Sequence, residues 1–215
     1  MAFQFKRDVF WQQFSAKFGP VAQDPTSGVN FVLDQIGQDT TNWKNINEIA
    51  YALATFAWET AHTFQPVYEK GQPPYFSKYD PGTQLGQNLG NTQLGDGFLF
   101  RGRGYVQLTG RANYQKVGQF LTVDLISKPD QALQPALAYK IAANGMRLGW
   151  FTGRRLSQFI ATGGAADYLN ARRIINGLDH AADIAAIAQN FQLVLTAAQI
   201  SQPAAAQAAG LSNQS

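Results

Sequence analysis

Cysteine is absent from the 215-residue chain, and histidine and methionine occur only twice each. The missing thiols exclude disulfides, zinc–thiolate sites and thiol nucleophiles together. Two histidines are too few for a histidine-rich metal site, so neither metal nor cofactor is expected. Charge is sparse as well: charged residues make up 14% of the chain, against about 25% in an ordinary soluble domain. Only three carboxylates are glutamates, Glu48, Glu59 and Glu69. No apolar run reaches the roughly 18 residues of a membrane-spanning helix. The N-terminal segment interleaves Lys6, Arg7 and Asp8 with aromatics, so it does not read as a secretory signal peptide.

What is present is apolar and aromatic. Hydrophobic residues reach 45% and aromatics 13%, enough for a sizeable core in one domain. The net charge of +3 suits an anionic partner without identifying it. Abundant Asn, Gln, Ser, Thr and Gly give a surface suited to neutral polar ligands such as sugars.

Phe3, Phe5, Val9, Phe10, Phe14 and Phe18 recur about every four residues, predicting a helix that ends near Gly19-Pro20. A second helix is expected from Thr26 or Ser27, burying Val29, Val32, Leu33 and Ile36. A third starts between Thr41 and Asn47 and runs to about His62, with Ile49, Leu53, Phe56 and Thr60 on one stripe. From Phe64 to Arg101 glycine and proline predict a long irregular segment, whose aromatics argue for order and whose length argues for function. Phe98 to Thr109 reads as a short strand or hairpin, Val106 and Leu108 alternating with Gln107 and Thr109. Helical patterns return over Arg111–Phe120, Pro129–Phe151, Leu156–Ala161, Ala165–Ile175 and Ala181–Ala198. Residues 201–215, rich in Ala, Gln and Ser, are expected to form a flexible tail after a single domain over 1–200.

Glu59 falls at the flank of an apolar helical stripe and near a helix C-terminus, a partly desolvated position suited to a proton donor. Glu69 follows ten residues later in the aromatic loop, where an exposed carboxylate suits a proton acceptor. An inverting glycosidase needs such a pair, separated by about 6.5–9.5 Å to admit a water. Two nearby glutamates also occur in many chains without catalytic roles. The most distinctive run is Gly102-Arg103-Gly104-Tyr105-Val106-Gln107-Leu108-Thr109-Gly110-Arg111-Ala112-Asn113-Tyr114. Its amide and hydroxyl side chains can bind sugar hydroxyl and acetamido groups, or position a water. The flanking Arg101, Arg103 and Arg111 also permit a phosphate-binding reading, though neither a P-loop nor a dinucleotide fingerprint is present.

Together these residues resemble glycoside hydrolase family 19, the chitinase-like enzymes that include phage and bacterial endolysins. The resemblance rests on Trp58-Glu59-Thr60, Glu69, Gly102 to Thr109, Asn113-Tyr114 and Ile175-Asn176-Gly177, in that order over roughly residues 45 to 195. It implies a mainly α, lysozyme-like α+β fold in which two helical lobes flank a cleft with a small β-hairpin. It further implies an inverting hydrolase of β-1,4 linkages in peptidoglycan or chitin. Glu59 would be the general acid and Glu69 the general base, with Thr109 holding the water. Gln107, Asn113 and Asn176 are the implied substrate contacts, with Tyr105 and Trp58 as further candidates, and Arg103, Arg173 and His62 are the supporting side chains. Independently of the resemblance, Tyr75, Phe76 and Tyr79 of the aromatic loop offer rings either to stack on sugar faces or to anchor the loop. The chain departs from the family at Trp58, where a histidine is usual, and at Ala112, where an aromatic is usual. The short interval between the glutamates resembles the compact bacterial and phage branch, in which peptidoglycan is the commoner substrate. The implied partner is a polysaccharide, with no nucleic acid and no membrane span, and the protein is expected to be a monomer. A non-catalytic wall- or chitin-binding protein that keeps the cleft is the alternative. Without a signal peptide, the expected route is synthesis in the cytoplasm and action on the wall after holin-type or secretion-system release.

Overall fold

The apolar stripe around Leu53 becomes the spine of the molecule. In the computed structural model, which describes residues 2–20 and 23–200 except the side chains of Gln23 and Asp24, helix α3 spans Ile46–Glu59. Asn45 caps it by accepting the Glu48 N–H at 3.0 Å, and Glu48 accepts the Lys44 N–H at 2.6 Å. Burial pushes the Glu48 carboxyl above its ordinary range, against the opposing pull of the Lys44 N–H and ammonium. Glu48 through Ala57 are buried in unbroken succession, so α3 is enclosed on every side.

Around it pack α1 (Arg7–Phe18), α2 (Gln23–Gln38) and α9 (Ala181–Ala198). Phe14 and Phe18 lean on Phe191 of α9, with ring centroids 5.8 and 4.8 Å away. Phe3 and Phe5 precede α1 rather than belonging to it. Phe5 bridges Gln199 instead, and the Lys6 N–H donates to Ala198 O at 2.8 Å. The start of the domain is thereby tied to the end of α9; the tail expected at 201–215 lies outside the described residues.

A second, smaller core gathers Phe100, Leu108, Tyr114, Val117, Leu125, Ala132, Leu137 and Ile141, beneath α6 (Arg111–Leu121). Helix α7 (Pro135–Leu148) divides the two cores. Its Ala138, Ala142 and Met146 enter the large one, and its Leu137 and Ile141 the small one. These two clusters correspond to the two expected lobes. A short helix, α8 (Tyr168–Ala171), completes the larger lobe against α9.

Two expectations need correction. The segment from Phe64 to Arg101 is not irregular. It contains β1 (Val67–Tyr68), a 3-10 helix (Pro73–Tyr79), α4 (Gln84–Asn88) and α5 (Asp96–Leu99). Polar side chains organise it, which is why no apolar period announces it. Asp80 accepts the N–H groups of Gly95 and Gly97, and Asn91 donates to Tyr79 O while accepting the Arg111 N–H. Asp96 accepts the Thr92 and Gln93 N–H groups as well as the Arg111 guanidinium. A side chain at Gly97 would place its Cβ 2.2 Å from Phe76 O, so this crossing requires glycine.

The hairpin is also tighter than alternation implied. Strand β2 (Arg103–Gly104) pairs antiparallel with β1, and Leu108 bridges straight back to Arg103. Gln107 occupies the turn at φ +57°, so Val106 and Leu108 do not share a strand face. Val106 drops into the large core and Leu108 into the small one. No helix among the described residues is long and apolar enough to cross a membrane.

Candidate active site

Gly102 is where the hairpin side of the site converges. The Glu69 N–H donates to Gly102 O at 2.8 Å, and the Gly102 N–H approaches Glu69 Oε2 at 3.4 Å. A Cβ on Gly102 would stand 2.5 Å from Gln107 Oε1 and 3.2 Å from Thr109 Oγ1. Glu69, Gln107 and Thr109 therefore close over one glycine, although 38 residues separate the first two along the chain. Gln107 holds its place by donating to Val67 O at 3.3 Å. Thr109 donates its hydroxyl to Gln107 O at 2.9 Å, and Asn113 donates to Thr109 O at 2.7 Å. On the far side of Glu69, the Tyr79 hydroxyl donates at 3.1 Å and the Lys78 ammonium lies 3.9 Å away. Burial first, then the Glu69 charge, lifts the Tyr79 phenol above its ordinary value, which keeps it a donor.

Glu59 ends α3 and is held by Arg172. The guanidinium Nη1 donates to Glu59 Oε1 at 2.5 Å, and Arg172 Nε donates to Asp179 O at 3.0 Å. The Arg172 side chain is 4% exposed and that of Glu59 18%. The chain leaves α3 through Ala61, His62 and Phe64, all at positive φ (50°, 63° and 53°). Each costs roughly 1–2 kcal/mol for an L-residue. Thr60 offsets this by donating to Phe56 O at 2.7 Å and accepting the Phe64 N–H at 3.0 Å. That reversal turns the chain back toward β1 and Glu69.

The two halves are joined through α3. The Tyr105 ring stacks on Phe56, one helical turn before Glu59, with centroids 4.7 Å apart.

No family sequence model matches this chain, and no curated protein matches it in sequence. Solved structures do match. Chitinase C from Streptomyces griseus is 20% identical with a TM-score of 0.60, covering 86% of this chain and 75% of that one. A glutamate-to-glutamine mutant of chitinase C gives 19% and 0.58, covering 91% and 94%. This chain has a family 19 chitinase-like fold.

Within that chitinase-like fold the sequence-derived site residues divide. Glu69, Gln107, Thr109 and Asn113 are brought together at the hairpin. Glu59 and Trp58 sit at the end of α3, and Asn176 lies four residues after Arg172, exposed, on the turn that follows it. Trp58 is half-buried against His180, ring to ring at 4.7 Å, and the Asn176 N–H donates to Arg172 O at 3.0 Å. Tyr75 stands 49% exposed on the 3-10 helix, with the Lys78 ammonium 3.6 Å from its ring centre.

Tyr105 is a correction. It is 1% exposed, packed in the large core with an unpartnered hydroxyl, and it presents no surface to a sugar. Tyr105→Phe should therefore leave turnover within about twofold and raise stability by up to ~1 kcal/mol, because an unsatisfied buried hydroxyl is removed. Thermal melting beside a turnover assay checks this, and a large activity loss would restore a substrate role.

Arg173 is a second correction. It is exposed, and among the described residues its side chain reaches only Asn170, at 3.3 Å; the arginine paired with Glu59 is its neighbour Arg172. His62 is a third. It lines an apolar hollow of about 280 Å³ with Phe14, Phe18, Ala57 and Phe191. Ala57 opens that hollow on α3, and Glu59, two residues on, lies about 200° round the helix from it. Arg103 supports the hairpin from inside, bonding Asp130, Leu99 O, Arg101 O and the Tyr114 hydroxyl.

Arg103 and Arg111 are both neutralised by ion pairs, with Asp130 and Asp96. That removes the continuous basic strip on which a phosphate-binding reading depends. Sequence reasoning missed Lys78 and His180, and the Tyr79 hydroxyl as a donor to Glu69. Tyr79 was accessible to it as one of few phenols near Glu69, whereas His180 meets Trp58 only through the fold.

Proposed function

We propose that this protein is an inverting glycoside hydrolase that cleaves β-1,4 linkages of an N-acetylated amino-sugar polymer, with bacterial peptidoglycan as its substrate. The observation that carries the proposal is the convergence of Glu69, Gln107 and Thr109 on Gly102, beside an α3 that ends in Glu59. The likeness of fold to chitinase C supports it.

Glu59 protonates the glycosidic oxygen as the bond breaks. Arg172 fixes one of its carboxylate oxygens, so the acid is presented in one orientation. Glu69 takes a proton from a water on the opposite face of the sugar, while Tyr79 steadies its other side. The Thr109 hydroxyl spends its proton on Gln107 O, which leaves its lone pairs to accept from that water. Gln107, Asn113 and Asn176 supply amide groups for sugar hydroxyl and acetamido groups, and Trp58 and Tyr75 supply apolar ring surface. The protein works as a monomer on wall polymer, without a cofactor, after release from the cytoplasm by a holin or a secretion system.

A single-displacement reaction inverts the anomeric centre. Proton NMR during early turnover should show α-anomeric reducing ends from a β-linked polymer, before mutarotation. Newly formed β-anomers would overturn the role given to Glu69.

A second reading, a wall-binding protein without turnover, draws on Trp58 beside the acid and on the permanent cation at Glu59. It predicts oligosaccharide binding with no new reducing ends.

A further inference from the structure

With Arg103 and Arg111 committed to aspartates, Arg101 is left different from its neighbours. It forms no ion pair with a carboxylate among the described residues. Its guanidinium lies 5.3 Å from the Tyr68 ring centre and 4.2 Å from that of Phe98. Nη1 donates to Phe98 O at 2.8 Å, so the head group is fixed rather than trailing in solvent. Both rings are open, Tyr68 at 53% and Phe98 at 37% exposure. Three cations, Lys70, Lys78 and Arg101, lie within two residues of Glu69 or of the groups bonded to it.

The ledge is rigid. Phe98 belongs to α5, whose first residue is locked by the Arg111–Asp96 pair, and its ring meets Phe76 edge-on at 5.5 Å. Tyr68 is held in register opposite Arg103. Arg101 is bonded through its peptide to Gly102, the residue that contacts Glu69. A preorganised guanidinium with free donors, held between two aromatic faces, is built to take a planar anion by paired hydrogen bonds.

We propose that Arg101, Tyr68 and Phe98 form a carboxylate subsite next to Glu69. It takes an acidic substituent carried on the glycan, and so selects peptidoglycan over uncharged chitin. This rests on the hydrolase reading for its place beside the scissile bond. Chitin carries no anion to meet Arg101, whereas alternate sugars of peptidoglycan bear lactyl groups and peptide carboxylates.

The test compares wild type, Arg101→Gln and Arg101→Lys on three substrates. These are intact peptidoglycan, glycan strands stripped of peptide by an amidase, and soluble chitin oligomers. The ratio of kcat/KM for peptidoglycan to that for chitin should fall about fivefold to tenfold in Arg101→Gln, through KM, and recover in part with lysine. Added salt should shrink the wild-type ratio toward that of the glutamine variant. A fall confined to intact wall assigns the anion to the peptide; a fall on stripped strands assigns it to the lactyl carboxylate. An unchanged ratio, or a wild type that turns over chitin alone, overturns the subsite while leaving the hydrolase standing. If wild type turns over none of the three, the hydrolase reading fails. Arg101 is then read by co-sedimentation with insoluble peptidoglycan, where equal retention of wild type and Arg101→Gln overturns the subsite as well.

Discussion

Glu59→Gln is expected to lower turnover roughly 10²–10⁴-fold, the contribution of a positioned general acid. The amide keeps the shape of the side chain and an oxygen that can still accept from Arg172, but it has no proton to give the leaving oxygen. Its stability cost should be modest. Arg172 is 4% exposed and loses a charged partner, yet it retains an acceptor and its second bond to Asp179 O. A loss of about 1–2 kcal/mol follows, less than for outright removal of the partner. Circular dichroism and a urea titration should therefore report a folded protein, while reducing-end release from purified walls falls close to background. Wild-type lysis by the variant would reject Glu59 as the acid.

The largest expected effect on stability lies at Asp96→Ala. Its carboxylate is 2% exposed and receives Arg111 Nε at 2.7 Å, Arg111 Nη2 at 2.6 Å and the N–H groups of Thr92 and Gln93. Burial alone would raise the carboxyl. The Arg111 hydrogen bond, the two backbone N–H groups and the guanidinium charge outweigh it and hold the group below its usual range. Removing it strands three or four donors, a loss of about 3 kcal/mol or more. The sign of the pH dependence follows. A carboxyl depressed in the folded state contributes stability that is complete above its unfolded pKa, about 3.9, and is lost as pH falls through the folded value. Wild type should weaken below about pH 4, and Asp96→Ala should lack that part of the acid dependence. Urea midpoints at pH 7 and pH 3 measure both, and parallel pH slopes for the two proteins would refute the assignment. Because Arg111 opens α6 directly after the hairpin, the variant should also lose activity at temperatures where wild type keeps it.

Much of the helical frame was legible in the residues. The run Ala181–Ala198 is α9 itself, and the pattern from Arg111 ends within one residue of α6. The Gly102–Asn113 motif marked the hairpin side of the site, where four of the residues it contains or points to do converge. Glu59 and Glu69, the proposed acid and base, are two of only three glutamates, and it was the motif around them that singled them out. The third, Glu48, proves to be spent on starting α3.

What the chain alone did not disclose concerns partners far apart in sequence. Arg172 reaches Glu59 across 113 residues, and nothing local distinguishes it from Arg173. Helical and strand periods report which face of one element is apolar, a property of neighbours three or four residues apart. They say nothing about which element covers that face, so Tyr105 looked like a ligand contact until Phe56 was seen lying over it. The segment from Phe64 to Arg101 escaped for a related reason. Its order comes from aspartate and asparagine bonds to distant backbone, and a hydrogen bond leaves no period in the sequence. Composition, motif spacing and scarce carboxylates thus led to the kind of chemistry proposed, and the packing of α3 against the hairpin decided which of the candidate side chains are buried and which are open.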